Sequence, residues 1–183
     1  MKKESEGYTL IELLVTLSII AIIADIAITS FDGTLDKNKH HAVLTSFLSE
    51  LHLARSEAIK RSHQIVICPS NNGITCDAIS SSGVNSWAVG RIIFVDNNRN
   101  NIRDPQEEII RVAEPLAQGL TIKASADVSQ IIRYRANGMT METGELTICD
   151  PRGSNAAQAI IINTTGRPQI SKYSETGGSL TCN

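Results

Sequence analysis

The fold is decided by residues 7–24, which read GYTLIELLVTLSIIAIIA. From Tyr8 to Ile28 the only charged side chains are Glu12 and Asp25. Roughly 21 helical residues at about 1.5 Å each reach about 31 Å, which is the thickness of the hydrocarbon core of a bilayer. The sequence therefore predicts that residues 8–30 form one membrane-spanning helix.

Glu12 is the residue that a plain membrane anchor would not carry. A carboxylate inside a transmembrane helix costs roughly 2.5–3.5 kcal/mol and usually marks a functional pairing. We therefore expect Glu12 to have a cationic partner. Asp25 lies about 26 Å along the helix from Tyr8, so its carboxylate is expected to reach water at the outer interface.

The segment that begins at Gly7 resembles the class III signal of type IV pilins and type II secretion pseudopilins. The resemblance implies that residues 1–7 are a leader and that a prepilin peptidase cleaves between Gly7 and Tyr8. It also implies N-methylation of Tyr8 and pairing of Glu12 with the N-terminal amine of another subunit during assembly. The family usually has Phe at the position of Tyr8 and Pro at that of Thr29, so a helix break near Thr29 is not assured.

The charge of the leader predicts the orientation of the chain. Lys2 and Lys3 precede the apolar run and are expected to stay in the cytoplasm. The localisation that follows is the inner membrane, in a single pass with a periplasmic domain, and later the pilus or pseudopilus. A secretory signal peptide is the alternative, but Ala24–Ala27 is a poor cleavage site for it.

The remaining residues, 31–183, have the length of one modest domain. The chain has 183 residues, a formal net charge of −2 and only 4% aromatic residues. The core must therefore consist mainly of Ile, Val, Leu and Ala. A nearly neutral chain gives no global argument for a nucleic-acid partner.

The first part of this domain continues as an amphipathic helix over about 35–62. Apolar residues recur at steps of three and four and define one stripe, which we expect to lie on a sheet. Glu50, Arg55, Glu57 and Lys60 are placed largely off this stripe. The histidines do not match a metal-binding pair and are expected in solvated or edge positions: His40, His41, His52 and His63.

The rest of the domain has the signature of antiparallel strands. Runs rich in β-branched residues recur every 10–15 residues or so, without helical stripes between them. The predicted strands are residues 64–68, 87–96, 108–112, 120–124, 130–135, 144–149 and 158–163. The fold class is therefore α+β, with a long N-terminal helix packed on antiparallel sheet, as the pilin resemblance also implies.

Four cysteines in an exported domain suggest two disulfides. Four cysteines allow three connectivities, and proximity in sequence favours Cys68 with Cys76 and Cys149 with Cys182.

The polar connection 96–107 partly matches a calcium-binding loop. Asp96, Asn98, Asn100 and Glu107 occupy four positions of that pattern. Arg99, Arg103 and the flanking strands oppose calcium, so we expect a hairpin loop whose Asn and Asp side chains stabilise turns, with calcium as the weaker alternative.

A second resemblance covers the domain from about residue 40 onwards. It is similar to the FimT/GspH-type minor pilins and pseudopilins through one block of residues: Cys68, Cys76, Trp87, Gly90, Phe94, Asp96, Asn98, Asp104 and Glu107. Some FimT-like proteins serve natural transformation, which implies a Gly-Arg-x-Arg motif in a basic, flexible C-terminal tail. Gly166 and Arg167 match it, but Gln169 replaces the second Arg. The candidate DNA-binding residues are Arg133, Arg135, Arg152, Arg167 and Lys172.

Catalytic signatures are absent from the sequence. We find no acid–base carboxylate pair, no nucleophile motif and no phosphate-binding glycine loop, so an enzyme is not expected and no cofactor is implied. The predicted function is that of a minor pilin that supports pilus assembly at or near the tip. The alternatives are a minor pseudopilin of type II secretion and a DNA-binding subunit at the pilus tip. The expected partners are the prepilin peptidase, the inner membrane and other pilins.

Overall fold

The computed structural model describes the backbone of residues 7–77 and 86–182, and the side chains of these ranges apart from residues 25–32 and 86. The leader residues 1–6, the side chain of Asp25 and most of the polar stretch 78–86 lie outside the described residues. The chain divides into two compact units, residues 1–37 and 38–183.

Helix α1 runs from Leu10 to Arg61, and its first part forms the N-terminal unit. The helical backbone continues through Thr29 and Gly33. From Leu10 to Ile23 every large apolar side chain is more than half exposed. Among the described residues, no helix combines the length and apolarity needed to cross a membrane. The predicted anchor 8–30 includes residues 25–30, whose side chains lie outside the described set.

The second part of α1 ends where β1 begins. Ser62 has a φ of 57°, and this left-handed residue ends the helix in the manner of a C-terminal cap. Arg61 binds Glu57 one turn earlier and Glu108 across the domain, which lowers the pKa of both carboxyls.

Eight strands form two antiparallel sheets in the second unit. The first sheet has the order β3-β2-β1-β5, and the second has the order β4-β6-β7-β8. The strands are β1 (Gln64–Pro69), β2 (Arg91–Asp96), β3 (Ile109–Ala113), β4 (Thr121–Ala124), β5 (Ile132–Tyr134), β6 (Gly144–Cys149), β7 (Gln158–Ile162) and β8 (Pro168–Ser171).

The main core lies where the apolar stripe of α1 meets both sheets. Leu44, Phe47 and Leu51 of the helix are buried with inward-facing residues of six strands. Strands β1 and β2 are also buried on their other face, where Val66 and Phe94 belong to a second cluster. Burial on both faces explains why these two strands read as continuous apolar runs rather than alternating ones.

Several sequence-based expectations are corrected by the structure. Glu50 and His40 are buried, although both were expected at polar positions. The predicted strand 87–96 begins only at Arg91, because residues 86–89 form a 3-10 helix. Gly90, with a φ of 112°, separates the two segments, and its backbone lies so close to the carbonyl of Ser70 that a Cβ there would clash.

Strand β8 was missed by the sequence analysis. The FimT-like resemblance implied a flexible tail over this region, but residues 168–171 pair with β7 at the edge of the second sheet. Its pattern of Pro, Gln, Ile and Ser gives little strand signal, and the pairing comes from the tertiary fold.

Candidate functional site

The N-terminus of α1 carries the residues predicted for processing and assembly. Gly7 is exposed, and no described atom lies within 4 Å of where a Cβ would stand. The fold of this chain therefore does not itself require glycine at this position.

Glu12 occupies a position that can stabilise the helix end locally. Thr9 precedes the first helical residue, and its Oγ1 accepts a hydrogen bond of 3.3 Å from the backbone N–H of Glu12. The spacing Thr9-x-x-Glu12 is that of a capping box, and a carboxylate in the first turn also favours the helix dipole. Within the described residues the Glu12 carboxylate has no cationic partner. This local role was not predicted above, although the T-x-x-E pattern of the sequence is sufficient to indicate it.

Two hydroxyl groups in the N-terminal part of α1 are hydrogen-bonded within the helix. Thr16 donates to the carbonyl of Leu13 at 2.9 Å, and Ser18 donates to that of Leu14 at 2.8 Å. These bonds to the preceding turn leave no hydroxyl proton in need of water. The segment can therefore enter an apolar environment at a lower cost.

Glu50 shows what a carboxylate on α1 does when a partner is available. Arg91 binds it through two nitrogens, with Nε to Oε2 at 2.7 Å and Nη2 to Oε1 at 3.0 Å. Both side chains are buried. The guanidinium also lies over the ring of Phe47, 4.4 Å from its centroid, and donates to the carbonyl of Trp87. Fork-to-fork geometry and several acceptors are the conditions under which a buried ion pair is tolerated.

Trp87 packs against the same cluster. It is fully buried, and its Nε1 donates to the carbonyl of Val128 at 2.9 Å. Its ring centroid lies 5.4 Å from that of Phe47. The indole is thus a core residue rather than a ligand platform.

Both expected cysteine pairs are joined in the structure. Cys68 and Cys76 close the loop after β1, and Cys149 fastens the C-terminal segment through Cys182.

A buried polar cluster lies next to Cys149. Nδ1 of His40, on α1, lies 2.8 Å from Oδ2 of Asp150. Arg152 binds the same carboxylate through two nitrogens and lowers the pKa of Asp150. Burial lowers the pKa of His40 despite the opposing effect of Asp150. His40 therefore favours the neutral form in the folded protein.

The loop 96–107 uses its polar side chains internally. Asp96 accepts from the N–H of Asn101 at 3.0 Å and from Gln64 at 2.8 Å. Glu107 accepts from the N–H groups of Asn97 and Asp104. The side chains of Asn98 and Asn100 both donate to Asp104.

These hydrogen bonds occupy Oδ2 of Asp96 and both carboxylate oxygens of Glu107, whereas Oδ1 of Asp96 is buried without a hydrogen-bond partner among the described residues. No group of three or more His, Cys, Asp or Glu side chains in the part of the chain that the structure describes could hold a metal ion. The loop instead has side-chain-capped turns of the kind expected for a hairpin.

The five candidate DNA-binding residues are only partly brought together. Arg133 and Arg135 line one groove, but Nε of Arg133 is bound to Glu142 at 2.6 Å. Arg152 lies elsewhere, on Asp150. Arg167 and Lys172 are exposed at either end of β8.

Gly166 has a structural reason to be glycine. Its φ is 72°, and a Cβ would lie 2.1 Å from the carbonyl oxygen of Gly138. This contact brings the turn before Arg167 against the turn after β5. The match of Gly166 to the Gly-Arg motif therefore also has an explanation in packing.

Comparisons with known proteins agree with this architecture. The family model described as type II transport protein GspH matches residues 44–166, and that of the prokaryotic N-terminal methylation motif matches residues 2–24. No curated protein matches the chain.

Two crystal structures of the type IV minor pilin FimU from Pseudomonas aeruginosa PAO1 share the fold. The form in space group P21 has a TM-score of 0.58 and 20% identity, covering 81% of this chain and 98% of that one. The form in space group P65 has a TM-score of 0.56 and 19% identity, covering 78% and 99%. At this identity the likeness shows the fold alone.

Proposed function

Because the chain belongs to the GspH family and carries the N-terminal methylation motif, we propose that it is a minor pilin incorporated at or near the tip of a type IV pilus. The observation that supports this most strongly is the contrast within α1. Its N-terminal part exposes apolar side chains all round, whereas residues 38–183 have a buried core of their own. A helix that is apolar on every side needs lipid or other subunits to cover it.

Processing is proposed between Gly7 and Tyr8, with N-methylation of Tyr8. Since the fold leaves open space at Gly7, the glycine is explained by the needs of another molecule, the prepilin peptidase. We expect Gly7→Val to retain the leader, while Glu6→Gln is cleaved normally. Intact-mass measurement of the membrane-extracted protein distinguishes the two forms. A mature N-terminus downstream of residue 24 would contradict the proposal.

The proposed localisation is the inner membrane before assembly. Residues 8–30 would form the anchor, with the leader in the cytoplasm and the domain in the periplasm. The internally satisfied hydroxyls of Thr16 and Ser18 support this placement.

The alternative within the same family is a minor pseudopilin of a type II secretion system. Deletion of the gene separates the two functions. Loss of surface pili with normal protein secretion is the expected result, whereas loss of secretion with normal pili would assign the chain to the secretion machinery.

DNA binding at the pilus tip is supported less well by the geometry. From Leu120 onwards the sequence has six Lys and Arg against five Asp and Glu, and two of the five candidates are paired with carboxylates. Phosphate binding strengthens with the number of cations free to displace counterions. We expect at most weak binding of the chain to duplex DNA, and a submicromolar gel shift at about 150 mM salt would overturn this.

A further inference from the structure

A polar groove of about 510 Å³ opens between the loop 96–107 and the turn after β5. We call it the arginine groove. Its polar lining consists of Gln64, Arg99, Asn101, Arg133, Arg135 and Asn137.

The charge of Arg133 is already balanced. Glu142, which is buried, accepts from the backbone N–H of Arg133 at 2.8 Å and from its Nε at 2.6 Å. The remaining Nη1 lies 3.3 Å from Oδ1 of Asn101. Arg133 therefore forms a fixed wall of the groove and is not its available cation.

Arg99 and Arg135 are the available cations. Both are exposed, and within the described ranges neither guanidinium forms a hydrogen bond or an ion pair. Some other arginines in residues 38–183 have carboxylate partners, as Arg91 does with Glu50 and Arg152 with Asp150, whereas Arg111 and Arg167 are exposed like the two groove cations. The groove thus presents two guanidinium groups that have no carboxylate partner among the described residues.

Hydrogen bonds from two buried residues hold the loop that carries Arg99 in place. Arg99 and Asn101 have φ values of 61° and 64°, a left-handed conformation that Asn tolerates but that is uncommon for Arg. Asp96 maintains it by accepting from the N–H of Asn101. Gln64 contributes by donating to both Asp96 and Asn101, at 2.8 and 3.1 Å. The cation is therefore presented on an ordered support, which reduces the entropy lost on binding.

We propose that the arginine groove binds an acidic segment of a partner polypeptide, with carboxylates pairing with Arg99 and Arg135. Planar guanidinium groups suit carboxylates because two parallel hydrogen bonds can form. The amide groups of Asn101 and Asn137 can hydrogen-bond the peptide backbone between the acidic side chains. Two free cations in one compact groove fit a short peptide better than a nucleic-acid backbone, which rewards a long row of cations.

The test uses the full chain in a neutral detergent and a hexaglutamate peptide with a neutral dye, measured by fluorescence anisotropy at low salt. The variant Arg99→Gln/Arg135→Gln removes two charges from the groove. The matched control Arg111→Gln/Lys172→Gln removes two exposed charges elsewhere, so both variants have the same net charge. Unfolding followed by Trp87 fluorescence verifies that both are folded.

We expect the groove variant to bind hexaglutamate at least about tenfold more weakly than the wild type, and the control variant to bind like the wild type. Hexaglutamine should not bind. Equal weakening in both variants would overturn the proposal, because it would indicate general charge attraction. Absence of hexaglutamate binding would also overturn it, as would displacement of the peptide by a duplex of about 20 base pairs at a lower concentration than unlabelled peptide. None of these results depends on whether the chain enters a filament.

Discussion

Two of the glutamates of helix α1, Glu12 and Glu50, lie in contrasting surroundings. Glu50 is buried and bound through both oxygens to Arg91 of β2. Glu12 is exposed among apolar side chains, and its carboxylate has no cationic partner in the described chain. The second part of the helix completes its interactions within one subunit. The first part presents a charge and an apolar surface that the described residues leave without partners.

The same contrast holds for packing. Phe47 and Leu51 are fully buried, whereas Leu14 and Leu17 are more than half exposed. Apolar residues in the second part form a stripe on one face, as a helix on a sheet requires. In the first part they surround the helix. In the proposed filament, contacts between subunits would cover the exposed apolar side chains of the first part.

The largest effect is expected from truncation in the second part. Phe47→Ala removes a buried ring that touches Trp87 and lies under Arg91, and should lower the free energy of unfolding by about 3–5 kcal/mol. Leu17→Ala, the matched change in the first part, should leave it within about 0.5 kcal/mol. Urea unfolding in detergent reports both, because Trp87 is the single tryptophan. Similar losses of unfolding free energy in both variants would refute the distinction between an exposed first part and a buried second part of the helix.

The ion pair between Glu50 and Arg91 provides a second comparison with Glu12. Glu50→Leu leaves the charge of Arg91 buried without a partner, so it should destabilise the domain by about 3–5 kcal/mol. The double change Glu50→Leu/Arg91→Met removes both charges and should recover most of this loss. The corresponding change Glu12→Leu should not alter urea unfolding of the domain. If the double variant is as unstable as the single one, the loss comes from packing rather than from the unpaired charge.

A smaller effect on stability is expected from lowering the pH, because His40 near the start of the second unit is buried. Because burial lowers the pKa of His40, the unfolded chain takes up a proton at His40 more readily than the folded chain. Stability should therefore fall as the pH drops below about 6.5, by up to about 1.4 kcal/mol for each pH unit between the unfolded and folded pKa values. The urea midpoints of the wild type at pH 7.5 and 5.5 should differ more than those of His40→Gln.

His41 is the matched control for this experiment. It is exposed and neighbours His40 on the same helix, so His41→Gln should keep the wild-type pH dependence. An identical pH dependence in His40→Gln and the wild type would remove His40 as the cause.

The sequence predicted the elements whose signal is local. The β-branched run of β1, the partner strands β2 and β3, the end of α1 near residue 62 and both cysteine pairs agree with the structure. The long apolar stretch and the motif at Gly7 were sufficient to identify the family, as the comparisons confirm.

The features that the sequence did not predict depend on distant partners. Glu50 is separated from Arg91 by 41 residues, and only the folded chain shows that a carboxylate on the buried side of the helix is neutralised. The buried His40 has a polar neighbour in Asp150, which lies far from it in the sequence. The arginine groove joins residues between 64 and 141, and the charges that remain free become apparent only after Glu142 is seen to hold Arg133.

The charge of Glu12 is central to the proposed assembly, and the most direct measurement compares two variants that separate this charge from helix capping. Glu12→Gln removes the charge but keeps a residue that can complete the capping box, whereas Thr9→Ala removes the cap and keeps the charge. Immunoblotting of sheared pili and membranes measures how much of each variant enters the filament. We predict that Glu12→Gln stays in the membrane while Thr9→Ala is incorporated at close to the wild-type level. Normal incorporation of Glu12→Gln would contradict the account.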